Sequence, residues 1–490
     1  VSRVLIIGSG ISGLTAALAL RQQGYFVTVF EVGPQAGGLA SGVSFAGHDF
    51  DGGPYIVLDR PGLEWAFAKM NQDLAALVPM QKIEKIYRVR ASDSSKPLEF
   101  HSDLNLTSKG FDQFEAGAGR KYQTYVAQMR QRYQRLTPVQ RQTHPAAAVT
   151  WADRFKFLKT AVTQKLWRDF GFLRGSLLEV LSDVPEFLWP GIAIWTRIAG
   201  QRFSTAPAPM GLIPAIFHYE GCFLPSGGMR SVPEVLLGLC EKAGVEFQFG
   251  ALVEKIEVAG GRATGVTLAD GKFVPGDAVF STINGVATRL VLRDEKGPAA
   301  EALAQLPLQS PGFCVYLLCR GKRPDFYLNF RTDIEATQVF VSPESVTGEG
   351  GEEWPARLIQ PLVHESHEET DLDLQTQLKD RLLNEKWWQE GVTSFRVVGF
   401  RTTRGWGEDF HLYRDSMNPA MTAQFMRQGR LPYVVPGVSG LFQSGSSTHP
   451  GQWVSFAAIS GILAAQTCAD FLAARERGGT GRVALKGESS

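Results

Sequence analysis

Three glycines near the start of the chain have the spacing that cradles phosphate. Gly8, Gly10 and Gly13 follow the apolar run Val4 to Ile7 and lead into an Ala/Leu-rich stretch reaching about Gln23. The run reads as a buried parallel strand, the glycines as a GxGxxG turn and the Ala/Leu stretch as a helix. Gly8 permits the tight turn, Gly10 lets backbone approach a pyrophosphate, and Gly13 lets helix and strand pack closely. Ile11 and Ser12 open the helix, whose free N–H groups and positive dipole end face the phosphates. Tyr25 to Phe30 reads as a second strand ending at Glu31, about 20 residues past the glycines, where a carboxylate takes a ribose hydroxyl. With no arginine beside it, that acid suits FAD or NAD rather than NADP.

A second glycine loop follows, with Gly37, Gly38 and Leu39, and then Phe50-Asp51-Gly52-Gly53-Pro54. A domain built for NAD alone would go straight to a crossover helix and third strand. Loops with close backbone approach point instead to a larger cofactor, FAD.

The whole chain sets the bounds. Its 490 residues suffice for two or three domains, and 50 basic against 49 acidic residues give no general attraction to nucleic acid. The five scattered cysteines make no CxxC and no zinc spacing, so reduced core thiols and no metal site are expected. The first residues enter a strand at once, without the charged and apolar regions of a signal peptide, and no apolar run is read as long enough to span a bilayer. A cytoplasmic protein is expected, with peripheral membrane contact as an option.

Glu31-x-x-Pro34-x-Ala36-Gly37-Gly38 after GxGxxG, followed by Phe50-Asp51-Gly52-Gly53-Pro54, resembles the flavin amine oxidase superfamily, and within it the phytoene desaturases. The resemblance implies FAD, with Glu31 on the adenosine ribose and Gly37 and Gly38 along the pyrophosphate and flavin. That family often has Arg or Lys after the paired glycines, where this chain has Leu39. Ala215 to Met229 and the C-terminal Gly445-Ser446-Ser447-Thr448-His449-Pro450-Gly451 resemble further phytoene desaturase stretches, and Pro450-Gly451-Gln452-x-Val454 resembles the carotenoid isomerases. By that likeness Gly445 and Ser446 meet the pyrophosphate or ribityl, the Gln452–Trp453–Val454 backbone faces the pyrimidine end of the isoalloxazine, and the Val253 backbone holds adenine. Ser446, where many relatives have an acid, and the bulky Trp453 are departures.

The elements that must position these residues follow from pattern. Two glycine turns between 245 and 274 predict a β-meander, and 277–282 a returning core strand. The expected fold is α/β: a Rossmann-like FAD-binding domain, a parallel sheet plus β-meander, from 1–60, 215–290 and 430–475. An inserted, discontinuous α+β substrate domain takes 61–214 and 291–429, and 476–490 reads as a disordered tail. A long helix is predicted over 111–136. Residues 120–174 hold twelve Lys/Arg and two Asp. Aromatics interleave with these cations over 151–174, which suits either an interfacial membrane helix or a solvated basic face over a core. His218 is expected in the core or at a pocket edge. His364 and His367 lack the HExxH spacing, so a polar loop is expected there.

The resemblance implies hydride transfer from an allylic C–H of a long apolar polyene or isoprenoid to flavin, making a double bond, or a redox-neutral isomerisation. The motifs name no acid or base; His449 is the best-placed ionisable group, with a structural loop role as its alternative. Two other readings stand beside this one: an amine oxidase acting on a non-carotenoid substrate, and a flavin-free binding protein like the prenyl-protein escort proteins. The substrate itself, the electron acceptor and the oligomeric state are not encoded in these motifs.

Overall fold

A computed structural model describes residues 1–92, 95–142, 151–199, 201–332, 338–341, 353–362, 372–384 and 389–477. The apolar strands predicted at the start become the centre of a five-stranded sheet. Its strands are β1 (Arg3–Ile7), β2 (Phe26–Glu31), β3 (Glu246–Phe249), β4 (Ala278–Ser281) and β5 (Leu441–Gln443), in the order β5–β4–β1–β2–β3. Every pairing is parallel, so the strand ends that carry loops lie on one edge, where α/β sheets bind ligands. Helix α1 (Ile11–Gln22) packs against the C-terminal helix Val454–Glu476 and the helix Ser231–Lys242.

The C-terminal helix corrects one expectation. By length and composition it is apolar enough to cross a membrane, where no such run is expected from the sequence. Most of it is buried inside the protein, with Ala458, Ala464, Ala465 and Cys468 fully covered, so the core accounts for its apolar run. It continues through Glu476, and 478–490, where the tail was expected, lie outside the described residues.

The predicted meander is an antiparallel sheet of Val253–Ala259, Arg262–Leu268 and Phe273–Pro275. A seven-stranded mixed sheet forms the second layer, with Phe313–Gly321 and Trp354–Gln360 at its heart and Lys85–Arg90 toward its far edge. Leu63, Phe67 and Leu74 still belong to the core around the parallel sheet, beyond the boundary expected at residue 60. The helix predicted over 111–136 is two: one ends at Phe111, and α2 (Ala118–Gln140) starts after Gly117, whose φ of +83° breaks the run.

Helix α3 (Trp151–Thr163) and the short turns after it are tied to α2 by one buried acid. Asp169, fully covered, accepts from Arg135 at 2.6 and 2.7 Å and from Arg132 at 3.0 Å. All five cysteines are free and buried, as small core residues. His218 sits in the core: its Nδ1–H donates to the Ser102 carbonyl at 3.2 Å and its Nε2 accepts from the Tyr122 hydroxyl at 3.0 Å. Burial holds its pKa down to about 4, so the ring is neutral. The stretch with His364 and His367 lies outside the described residues.

Candidate functional site: a cofactor cradle continuous with an apolar cavity

The GxGxxG turn is built by contacts that only glycine satisfies. Gly8 has a φ of +95°. A Cβ on Gly13 would lie 2.1 Å from the Gly8 carbonyl oxygen and 2.9 Å from Thr282 Oγ1, so its absence sets the spacing of α1 to β1. A Cβ on Gly10, by contrast, would meet no protein atom within 4 Å. That open face, at the N-cap of an α1 with no side-chain cap and no acid in its first turn, has the shape and polarity to receive a phosphate.

The second glycine loop closes over the first. Gly37 N–H donates to the Ser9 carbonyl at 2.9 Å, and a Cβ on Gly38 would come 3.3 Å from Gly10 Cα. Glu31 is held in place by Ser9 N–H (2.8 Å), Ser9 Oγ (2.6 Å) and Gly33 N–H (2.9 Å). A carboxylate has about four lone-pair sites, so an acceptor remains for a ribose hydroxyl. Val253, at the start of the meander, lines the cavity with Glu31 and Val32. Leu39 lines it too, its carbonyl anchored by Gly53 N–H at 2.9 Å.

The C-terminal loop completes the wall. Gly445, with a φ of +100°, donates its N–H to Ser460 Oγ at 3.0 Å, and Ser12 and Ser444 share a 2.6 Å hydroxyl bond. Ser446, His449, Gln452, Trp453 and Val454 all line the cavity. Trp453 is the N-cap of the C-terminal helix, which has no side-chain cap, and its ring stacks on Phe456 at 4.9 Å. His449 is braced as part of the loop. Its Nε2 donates to the Gln140 carbonyl at 3.1 Å, while its own carbonyl accepts from Tyr433 Oη at 2.8 Å. Of the residues singled out in the sequence for the cofactor, Gly13 alone lies off the cavity wall, under the turn.

One cavity of about 1890 Å³ runs from these residues into the second layer. That is nearly twice the upper end of a typical small-ligand site, leaving room for a substrate beside a dinucleotide. Beyond the cradle it is lined by Ile56, Leu136, Trp195, Met210, Ile213 and Ile359. Phe157, Leu166, Phe170 and Leu173, within the aromatic-basic stretch, also line it.

Two lining arginines escaped the motifs. Arg357 stands in the otherwise uncharged, wholly buried strand Trp354–Gln360. Its Nη1 donates to the Asp51 and Gly52 carbonyls, and its guanidinium lies 5.3 Å from the Tyr55 ring centre. A lone charge inside a buried strand was the available signal. Arg430 carries no such signal, since it lies in a loop. From the 401–411 stretch Trp406 and His411 reach the cavity, while Arg401 stacks on Trp406 at 4.8 Å and pairs with Asp409.

A parallel sheet with GxGxxG, a ribose acid, a second glycine loop and a meander defines an FAD-binding oxidoreductase fold, and the open face at Gly10 fits that cofactor. Residues 11–469 match the family of flavin containing amine oxidoreductases, and the chain belongs to it. FAD is its cofactor, and it is an oxidoreductase.

Among similar proteins, it is 27% identical over 328 residues to the zeta-carotene-forming phytoene desaturase of Myxococcus xanthus, spanning 66% of this chain and 61% of that protein. It is 24% identical to the hydroxyneurosporene desaturase of Rubrivivax gelatinosus, over 100% of this chain and 97% of that protein. The structure of wild-type putrescine oxidase bound to putrescine aligns with a TM-score of 0.63 at 16% identity, covering 96% of this chain and 99% of that one. An oxidoreductase from Methanosarcina mazei aligns at 0.64 and 16% identity, covering 94% and 99%. These structural likenesses are of fold.

Proposed function

We propose that the protein oxidises a long apolar polyene or isoprenoid, introducing a double bond by removal of hydride from an allylic carbon and of a proton from the neighbouring carbon. The carrying observation is one apolar cavity lined both by the glycine cradle and by the exposed Phe170. FAD, when bound, supplies the two-electron oxidation. The chain's own task is to hold a C–H against the flavin and to exclude water, and Trp195, Ile213, Ile359 and Trp406 line such an apolar slot. The carotenoid desaturases among its relatives support this substrate class.

The same reading brings the substrate from a membrane surface. Phe155, Leu158, Val162, Trp167 and Phe170 are 57–69% exposed, beside the exposed cations Lys156, Lys159, Lys165 and Arg168. Aromatics that enter the headgroup boundary while cations meet anionic lipid are the components of a peripheral anchor. Phe170 among them also lines the cavity, so a lipid-dissolved chain enters there without crossing water. Such a protein is cytoplasmic and peripheral.

Incubation of the FAD-loaded protein with phytoene in anionic vesicles, followed by chromatography, tests the proposal. A product with a longer chromophore supports desaturation. A product of unchanged mass and altered geometry moves the reading to isomerisation, and unchanged substrate with every acyclic polyene tried defeats it.

A further inference from the structure

Arg430 is a cation in search of a partner. Its side chain is packed into protein while part of its surface faces the cavity. Nη1 lies 2.7 Å from the Met421 sulfur, a weak acceptor, and among the described residues no carboxylate forms an ion pair with it. Burial pulls its pKa down to about 10, opposed by Tyr433. A guanidinium so placed, without a counter-charge, destabilises the fold. Arg357 is anchored on one side, its Nη1 taken by the Asp51 and Gly52 carbonyls while its buried Nη2 has no partner.

The location of Arg430 supplies the missing partner. Its Nη2 lies 3.1 Å from where a Cβ on Gly451 would stand, three residues before the C-terminal helix begins at Val454. That helix has 23 residues, no side-chain cap and no acid in its first turn. Helix end and guanidinium therefore converge on one stretch of the cavity: Asp59, beside Ser455, is the carboxylate at the helix's first turn, and among the described residues none pairs with Arg430. Leu39 itself brings no cation to the opposite glycine loop.

We propose that Arg430 stabilises the negative charge that the pyrimidine end of the isoalloxazine gains on two-electron reduction, the role left unfilled at Leu39. The inference rests on placing that end of FAD at Gln452–Val454, not on the polyene. Charge near this end of the ring sets how readily the flavin accepts electrons. Arg430 is thereby a determinant of oxidising power rather than of substrate choice.

The test uses sulfite, which adds reversibly to oxidised flavin and leaves the same negative charge, so no substrate is needed. FAD-loaded Arg430→Met is titrated with sulfite, and its flavin midpoint potential is measured against reference dyes. The sulfite Kd is expected to rise by about tenfold or more, the size of one charge-assisted hydrogen bond. For a two-electron couple, tenfold corresponds to about 30 mV. Arg430→Lys, which keeps the charge, should restore most of the affinity. If Arg430→Met does not load FAD, Arg430→Gln is measured the same way. Wild-type sulfite affinity and potential in a loaded neutral variant would overturn the proposal. So would failure of both neutral variants to hold FAD while the lysine variant holds it, since the cation would then serve binding instead. Neither result bears on whether a polyene is the substrate.

Discussion

Two glycines three residues apart should fail in different ways when each gains a methyl group. Gly10 has backbone angles open to alanine (φ −65°, ψ 175°), and its Cβ would touch no protein atom within 4 Å. Gly10→Ala should therefore leave the apo-protein within about 0.5 kcal/mol of wild type. The methyl instead occupies the space assigned to the pyrophosphate. An overpacking cost of about 1–3 kcal/mol weakens FAD binding by about 5- to 150-fold. In Gly13→Ala the new Cβ meets the Gly8 carbonyl oxygen at 2.1 Å, so α1 must move off β1 by on the order of 1 Å to regain normal contact. That cost falls on the fold itself, again about 1–3 kcal/mol, and lowers the apo melting temperature. Scanning calorimetry of the apo-proteins and flavin-fluorescence titration separate the two effects. Wild-type FAD affinity in Gly10→Ala would refute the placement of the pyrophosphate.

Three further outcomes follow from other parts of the fold. Phe155→Ser combined with Trp167→Ser should lower sedimentation with anionic vesicles by about tenfold or more, since burying one such side chain is worth about 1.5–3 kcal/mol; undiminished sedimentation contradicts the anchor. Asp169→Ala strands Arg132 and Arg135, which are 30% and 25% exposed, so the loss should fall below the about 3–5 kcal/mol of a fully buried pair and appear in the denaturant midpoint. His218 binds a proton more weakly folded (pKa about 4) than unfolded (about 6.5), so its stabilising contribution is full above pH 6.5 and lost as pH falls toward 4. The slope approaches about 1.4 kcal/mol per pH unit within that window, and His218→Gln should flatten it.

What could be read in advance was local. GxGxxG and the Gly37–Gly38 loop announce themselves because tight turns and close backbone approach demand glycine at fixed offsets, and Glu31 because it ends the next strand at a set distance from them. The meander was legible from alternation and its glycine turns. Other features depend on contacts distant in sequence. Asp169 becomes a clamp because α2 carries Arg132 and Arg135 past it, and nothing in its own neighbourhood says so. The break at 112–117 hides in a sequence whose apolar spacing continues through it. Arg430 acquires meaning when the loop before β5 is folded against Gly451. The apolar run at 454–476 has the composition of a membrane span, and only its packing on α1 distinguishes it from one.

The most direct test of the central claim is the visible spectrum of the FAD-loaded protein as phytoene in anionic vesicles is added without oxygen. The flavin band should bleach while a longer-chromophore polyene band grows in proportion. A flavin that stays oxidised with polyenes but bleaches on addition of putrescine would contradict it and make the protein an amine oxidase.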